Sequence, residues 1–222
     1  MRWLLLLLLC SACRGKPPVP ILNYHSVGAQ ADDYTVTEAQ FGQQLDWLQS
    51  AGFRTVPLHD ALAPQPRAVV LTFDDGKEDA LTRVLPALQR RGMRAAFFIP
   101  TARVGQPGYL TWDGVRALRA AGMEIGSHSV DHARLADLSD EQVRGQLVES
   151  KRALEAQLHA PVDLLAYPYN SVRRRVRDAA EAAGYRIAVS GVAHGGSDPL
   201  DLLRVSVSGL TTPAQFQEIV SH

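Results

Sequence analysis

The chain has 222 residues, 46% of them hydrophobic, with 23 basic and 23 acidic side chains and a formal net charge of zero. That length and apolar content suit one domain with a sizeable core and exclude a disordered chain. The charge balance leaves no basic stripe for nucleic acid, so that class of partner is set aside.

At the N-terminus Arg2 precedes the apolar run 3–9, and Ser11-Ala12-Cys13 follows. The run is too short to span a bilayer and has the layout of a secretory signal. Ser-Ala-Cys resembles a lipobox, with Cys10 where leucine is usual. Residues 1–13 are therefore expected to be a leader, with Cys13 lipidated and the protein exported to a bacterial cell envelope, in the periplasm or at the outer membrane. An ordinary cleaved signal or a short uncleaved anchor is the alternative. Both cysteines lie in this leader, so the mature domain is expected to hold together without disulfides. Residues 14–18 read as a short tether ending in Lys16-Pro17-Pro18, and 19–222 as one domain.

Residues 19–24 read as a strand with His25 at its end, followed by a polar loop containing Asp32 and Asp33. Thr37-Glu38-Ala39-Gln40 is a capping box, and Phe41, Leu45 and Leu48 give the next helix an apolar face. Gly52 ends it; 53–56 reads as a strand and 59–62 as at most a short helix. The β-branched-rich run 68–73 is a buried strand that stops abruptly at Asp74-Asp75-Gly76. A helix is expected over 78–91, kinked or restarted at Pro86. Next come a strand at 95–99, a helix from Thr111-Trp112 to Gly122, and a short strand at 124–127. His128-Ser129-Val130-Asp131-His132 follows directly, and Ser139 with Gln142 caps a long helix to about 159. A strand at 164–167 leads into Pro168-Tyr169-Asn170, then a helix over 172–183. Strands at 187–189 and 203–207 and a helix opened by Thr212-Pro213 complete the chain. Strand then helix, repeated about seven times without a G-x-G-x-x-G loop, predicts an α/β barrel or distorted barrel rather than a nucleotide-binding sheet.

In a barrel, strand ends converge on one mouth. Here those ends carry His25, Asp74 with Asp75, His128 with His132, and Pro168-Tyr169. Two imidazoles at i and i+4 share a face if the segment turns helically. With one carboxylate they make a two-His, one-carboxylate metal site that leaves positions open for water and substrate. Alone, Asp74-Asp75 would read as a turn and cap, and His128 with His132 as surface or capping histidines. Together they point to a metal centre.

Thr72-Phe73-Asp74-Asp75-Gly76 and His128-Ser129-Val130-Asp131-His132 resemble the first two motifs of the polysaccharide deacetylase family, the NodB homology domain of carbohydrate esterase family 4. Further stretches are similar to its biofilm poly-N-acetylglucosamine branch, whose motif order is permuted. They are Ile21-Leu22-Asn23-Tyr24-His25-Ser26, the set Phe41, Leu45 and Leu48, Leu110-Thr111-Trp112, Ala166-Tyr167-Pro168-Tyr169 and Leu203-Arg204-Val205. The resemblance covers most of the chain after the leader. It implies a single-domain deformed (β/α)7-type barrel that removes N-acetyl groups from an amino-sugar polymer. Peptidoglycan and chitin oligosaccharides are the alternative substrates. The chain is expected to be a monomer, tied to membrane only by the N-terminal lipid.

By the same resemblance, Asp75, His128 and His132 bind a divalent metal, zinc by default, with cobalt, nickel or iron as alternatives. Asp74 is the general base, and the Tyr169 N–H, beside Pro168, meets the oxyanion. The general acid is His25 in the permuted order, which its strand-end position favours, or His194 in the commoner order. Two departures stand out. Many members carry an arginine two residues before the proline, where this chain has Ala166, and a glycine where it has Asn170. Arg204 is a candidate replacement for orienting Asp74; otherwise it is an ordinary surface arginine. Trp112 and Tyr109 either line a sugar cleft or simply pack. His59, His159 and His222 lack motif context and read as structural or solvated.

Two other functions compete. A glycoside hydrolase needs two acids about 5 Å or more apart across the scissile bond, which adjacent aspartates do not suit. A non-catalytic carbohydrate-binding protein of the same fold has no need of intact Asp74, Asp75, His128 and His132, although the missing arginine speaks for it.

Overall fold

The computed structural model describes residues 19–192 and 198–221. The leader, the tether, His194 and His222 lie outside them. In chain order the elements are β1 (Ile21–Tyr24), β2 (Ser26–Gly28), β3 (Thr35–Thr37), α1 (Glu38–Ser50), β4 (Arg54–Thr55) and β5 (Ala68–Phe73). Then follow α2 (Leu85–Gln89), β6 (Ala96–Ile99), α3 (Trp112–Ala120), β7 (Glu124–Ser127), α4 (Asp140–Leu158) and β8 (Leu164–Ala166). The last are α5 (Arg174–Ala182), β9 (Ile187–Ser190), β10 (Leu202–Leu203), β11 (Val205–Ser206) and α6 (Pro213–Ser221).

The main sheet is parallel in the order β10-β9-β8-β7-β6-β5-β1-β11, with β4 also paired to β5. Its two outer strands are one stretch of chain, divided only by Arg204. Leu203 pairs with Ser190 of β9, and Val205 pairs with Leu22 of β1. The chain thus closes the sheet into a nearly complete barrel, with Arg204 at the seam. This is the single-domain α/β barrel that the alternation of elements predicts.

Period-two alternation sorts each strand between lumen and helices. Ile21, Ala68, Val70, Ala96, Phe98, Leu164, Ala166, Ile187, Val189 and Leu202 fill the lumen. Leu22, Tyr24, Val69, Leu71, Phe73, Phe97, Ile99 and Ile125 face outward under the helices. Both faces are covered, which is why β5 is buried at every position. Gly126 is fixed by this packing: a Cβ there would lie 2.5 Å from the Phe98 ring. Continued one step past the strands, the same alternation points Asp74, His128 and Arg204 into the lumen's upper end.

The helices begin where side chains can satisfy their free amides. Thr37 with Gln40 and Ser139 with Gln142 form complete capping boxes, and Thr111 caps α3. Two expectations change and one alternative is decided. The loop after His25 holds a two-stranded parallel ladder, β2 with β3, turned by Asp32, whose carboxylate accepts from the Tyr34 and Thr35 amides. Of the two alternatives at Pro86 the restart is the one found: Ala80–Val84 is π-helical and α2 starts beside the proline, which lacks the amide a helix interior would need. The segment from His128 to His132 is not helical, as described next.

Candidate active site

The floor of the mouth is a buried ion pair. Arg204 sends Nη1 to Asp74 Oδ1 at 2.7 Å and Nη2 to Asp74 Oδ2, so the guanidinium fork grips both carboxylate oxygens. Nη1 also reaches Asn23 Oδ1 at 2.9 Å and Thr72 Oγ1 at 3.3 Å, and the fork lies 5.7 Å from the Phe98 ring centroid. Both partners are only 3% exposed. Because the fork engages end-on, Arg204 Nε points away from Asp74 and, among the described residues, has no partner. Ala166 is buried among the lumen side chains, and Arg204 enters from the seam. The guanidinium that the motif lacks at one strand is thus supplied by another. Burial alone would raise the Asp74 carboxyl, but the Arg204 charge and hydrogen bonds outweigh it and hold Asp74 below the usual carboxylate range.

Asp75 breaks the alternation. Its φ of 69° turns the chain out of the strand and lifts its carboxylate toward the two histidines. Asp75 Oδ1 lies 3.2 Å from His132 Nε2 and 3.8 Å from His128 Nε2. One ligand atom each from Asp75, His128 and His132 falls within a 4.8 Å group. Burial opposes the Asp75 charge, yet the hydrogen bond with His132 and the neighbouring imidazoles pull its pKa far down.

The imidazoles meet through a tight turn rather than a helix. Ser129 and His132 are left-handed, with φ of 63° and 66°, and Ser129 Oγ accepts from the His132 amide at 3.1 Å. Gln146 of α4 braces this turn by accepting from the Val130 amide at 2.9 Å, and Ser127 Oγ accepts from the Ser129 amide at 3.1 Å. The ring centroids of His128 and His132 end 4.7 Å apart. His128 Nδ1 lies 2.8 Å from the Ala166 carbonyl, which can only accept, so Nδ1 carries the proton and Nε2 is left bare, 3.7 Å from Asp74 Oδ2 and 3.8 Å from Asp75 Oδ1. Burial pushes the His128 pKa down to about 4, which keeps the ring neutral. A neutral imidazole with its far nitrogen anchored is what a metal ligand requires. The donor set therefore fits a divalent cation.

The remaining predicted residues fall around this group. His25, at the end of β1, stands close enough to lower the pKa of both Asp74 and Asp75, and its ring packs 5.2 Å from Tyr34. Tyr169 is 53% exposed, with φ of 55°; its ring centroid lies 4.6 Å from that of His132 and 4.2 Å from the Arg134 guanidinium carbon. Among the described residues the Tyr169 amide has no acceptor. Pro168, beside it, is buried. Trp112 is half-buried against the outer core, and Tyr109 holds two cations. His59 bridges Glu124 and Asp163 far from the mouth's motifs, each at 3.0 Å. Ser127 and Gln146 carry no signal in the sequence beyond their places on a strand and a helix.

The sequence pattern of polysaccharide deacetylases matches residues 61–188, more than half of the chain. The chain belongs to the polysaccharide deacetylase family. It is 28% identical over 179 residues to YxkH of Bacillus subtilis (strain 168), itself named a polysaccharide deacetylase only provisionally; the match covers 78% of this chain and 64% of that protein. It is 30% identical over 140 residues to the peptidoglycan-N-acetylglucosamine deacetylase PgdA of Listeria monocytogenes, covering 60% of this chain and 29% of PgdA. The chain thus spans less than two thirds of the length of these curated relatives. Among solved structures, the Streptococcus pyogenes deacetylase PplD in complex with acetate superposes with a TM-score of 0.84 at 22% identity, over 91% of this chain and 97% of that one. At that identity the likeness concerns the fold. The family's barrel is the one found here.

Proposed function

We propose that the protein hydrolyses N-acetyl groups from an N-acetylglucosamine-containing polysaccharide, releasing acetate and leaving a free amine. The observation that carries this reading is the convergence, at one mouth, of the Asp75–His128–His132 group with a carboxylate gripped by Arg204. A divalent metal, zinc by default, held by those three residues would supply Lewis acidity, lowering the pKa of a water ligand and polarising the acetamide oxygen. Asp74 takes the proton of the attacking water. The Arg204 fork fixes the orientation of Asp74 and keeps it ionised, so it is always ready to accept but suited only to a proton already made acidic. The Tyr169 amide, free of any acceptor among the described residues, donates to the oxygen that gains charge. His25 gives its proton to the departing nitrogen as the C–N bond breaks; its support is the strand-end position beside both aspartates. The alternative acid, His194, lies outside the described residues.

Within this reading the poly-N-acetylglucosamine branch motifs favour that polymer. Peptidoglycan is the second reading, favoured by the resemblance to PgdA. The leader at 1–13 supports export to the cell envelope and attachment through Cys13. The deciding experiment is acetate release from a panel of N-acetylated glycans, with and without a chelator, with Asp74→Asn as control. Chelator-sensitive release that Asp74→Asn abolishes is expected; no release from any glycan by metal-replete protein sinks the proposal. Polymer binding without release would favour the non-catalytic carbohydrate-binding reading.

A further inference from the structure

Lys77, Arg103 and Tyr109 form a cluster that neither the metal group nor the Asp74–Arg204 pair uses. Lys77 Nζ donates to Tyr109 Oη at 3.0 Å, and Arg103 Nη1 donates to the same oxygen at 2.9 Å. Both cations also lie against the ring, 4.1 Å and 5.4 Å from its centroid. All three side chains belong to half-buried residues. The two charged nitrogens are thus no farther apart than the sum of those two bonds. Among the described residues neither cation has an ion-pair partner, and the Tyr109 hydroxyl proton has no acceptor. Glu78, next to Lys77 in sequence, is exposed and pairs with neither.

Every group at this point is therefore a donor, and two of them are charged. Like charges held together in a partly desolvated place repel, and an anion joining them removes that cost. An ammonium and a guanidinium fork are also the side chains best suited to a carboxylate or phosphate.

The segments that carry the cluster are the loops that follow β5 and β6, tied by backbone hydrogen bonds to those that carry Asp75 and the histidines. Lys77 is the second residue after Asp75. Its loop is tied to the Tyr109 loop by the Leu110 amide on the Gly76 carbonyl at 2.9 Å and the Glu78 amide on the Gly108 carbonyl at 3.1 Å. The Arg103 segment is tied in turn to the histidine turn, through the Thr101 amide on the Ser129 carbonyl at 3.2 Å and the Ala102 amide on the Val130 carbonyl at 2.8 Å. A donor cluster so fastened keeps its place relative to both metal-holding segments.

We propose that Lys77, Arg103 and Tyr109 form a subsite for an acidic group, carboxylate or phosphate, that the glycan carries near the N-acetyl group being removed. The inference rests on the deacetylase reading and turns its substrate away from a neutral N-acetylglucosamine polymer, which has no group for this subsite, toward glycans bearing acid groups as well as N-acetyl groups. The test compares acetate release by metal-replete protein from three matched N-acetylglucosamine oligosaccharides: one neutral, one with an ether-linked carboxylate on the neighbouring sugar, one with a phosphate there. At least one acid-bearing glycan is expected to have a kcat/KM about tenfold above the neutral one, through a lower KM, and the ratio should shrink as salt is raised. In the double variant Lys77→Gln/Arg103→Gln the ratio should collapse toward one, while Arg103→Lys retains part of it. Which acid-bearing arm gains identifies the acid. Equal kcat/KM for neutral and acidic glycans in the unaltered protein, or a ratio that survives the double substitution in folded protein, overturns the subsite. If the double variant does not fold, a wild-type ratio insensitive to salt overturns it. No acetate from any of the three overturns the deacetylase reading instead.

Discussion

At the helix C-termini around the base of the barrel and at its mouth the backbone enters the same left-handed region, but different residues occupy it. Where α1, α2, α3 and α5 end, the left-handed positions are Gly52, Gly92, Gly122 and Gly184, with φ of 77°, 64°, 82° and 84°. Glycine adopts this conformation without a Cβ clash and closes the helix C-terminus. The mouth has left-handed glycines too, such as Gly76, but it also holds Asp75, Ser129, His132, Tyr169 and Asn170 at φ between 54° and 69°. A side chain in that region costs roughly 1–2 kcal/mol. Three of those five residues are the proposed metal-binding aspartate, a proposed metal-binding histidine and the proposed oxyanion donor. The base is arranged for folding, and the mouth holds strained backbone in place so that its side chains meet.

Changes at the mouth should therefore reduce activity before stability, and changes at the base the reverse. The largest expected effect is at Asp74. Asp74→Asn should lower acetate release by about 10²–10⁴-fold, with a smaller loss in the unfolding midpoint, since the amide can accept from only one arm of the Arg204 fork and leaves a buried guanidinium without its counter-charge. Comparable turnover in the variant would remove Asp74 from the chemistry. Arg204 is where the two regions overlap, because one side chain sits at the barrel seam and holds the base. Arg204→Met should cost about 3–5 kcal/mol in denaturant unfolding, as it strands a buried carboxylate, and should lower activity as well. An unchanged midpoint would mean the seam closes without that pair.

At the base, Gly122→Ala meets no atom within 4 Å of the new Cβ, so only backbone strain is introduced. About 1–2 kcal/mol of destabilisation, with acetate release unchanged, is expected from paired melting and activity assays. The helix that departs from the pattern is α4, which ends on His159 at φ 50°. His159→Gly should therefore stabilise, by up to about 1 kcal/mol; a loss of stability would show that the imidazole does something the backbone comparison misses. The smallest effect concerns His59. Burial alone would lower its pKa, but hydrogen bonding to Glu124 and the charges of Asp163 and Glu124 raise it. Its contribution is thus fully present below the ordinary histidine value near 6.5 and lost as pH rises through the raised one. A shallow loss of stability across that window should disappear in His59→Gln, and it should be small because the side chain is 43% exposed.

Much of the site was legible in the chain because its chemistry is local. Asp74-Asp75-Gly76 after an apolar strand, and His128 with His132 after a short one, announce themselves by residue type and spacing. The barrel follows from the alternation of strands and helices. What the chain concealed involves either non-local partners or backbone conformation. The β2–β3 ladder was hidden because three-residue strands in polar sequence have too few positions to show a period. The turn that joins the histidines depends on left-handed φ at Ser129 and His132, which no residue type there advertises. Arg204 was a candidate only by its neighbours in sequence, since nothing local distinguishes a seam arginine from a surface one.

By itself, then, the sequence determined the inventory: a parallel α/β barrel, its caps, and the aspartates and histidines at its strand ends. Covalent spacing and hydrophobic period are enough for that. Only the tertiary structure decided the partnerships. Arg204 lies 130 residues from Asp74, and the two meet because closing the barrel brings the last strand against the first, a contact fixed by the geometry of the whole sheet. Within that closed lumen the Arg204 charge keeps Asp74 ionised against its burial and burial keeps His128 neutral, charge states that their residue types alone leave open.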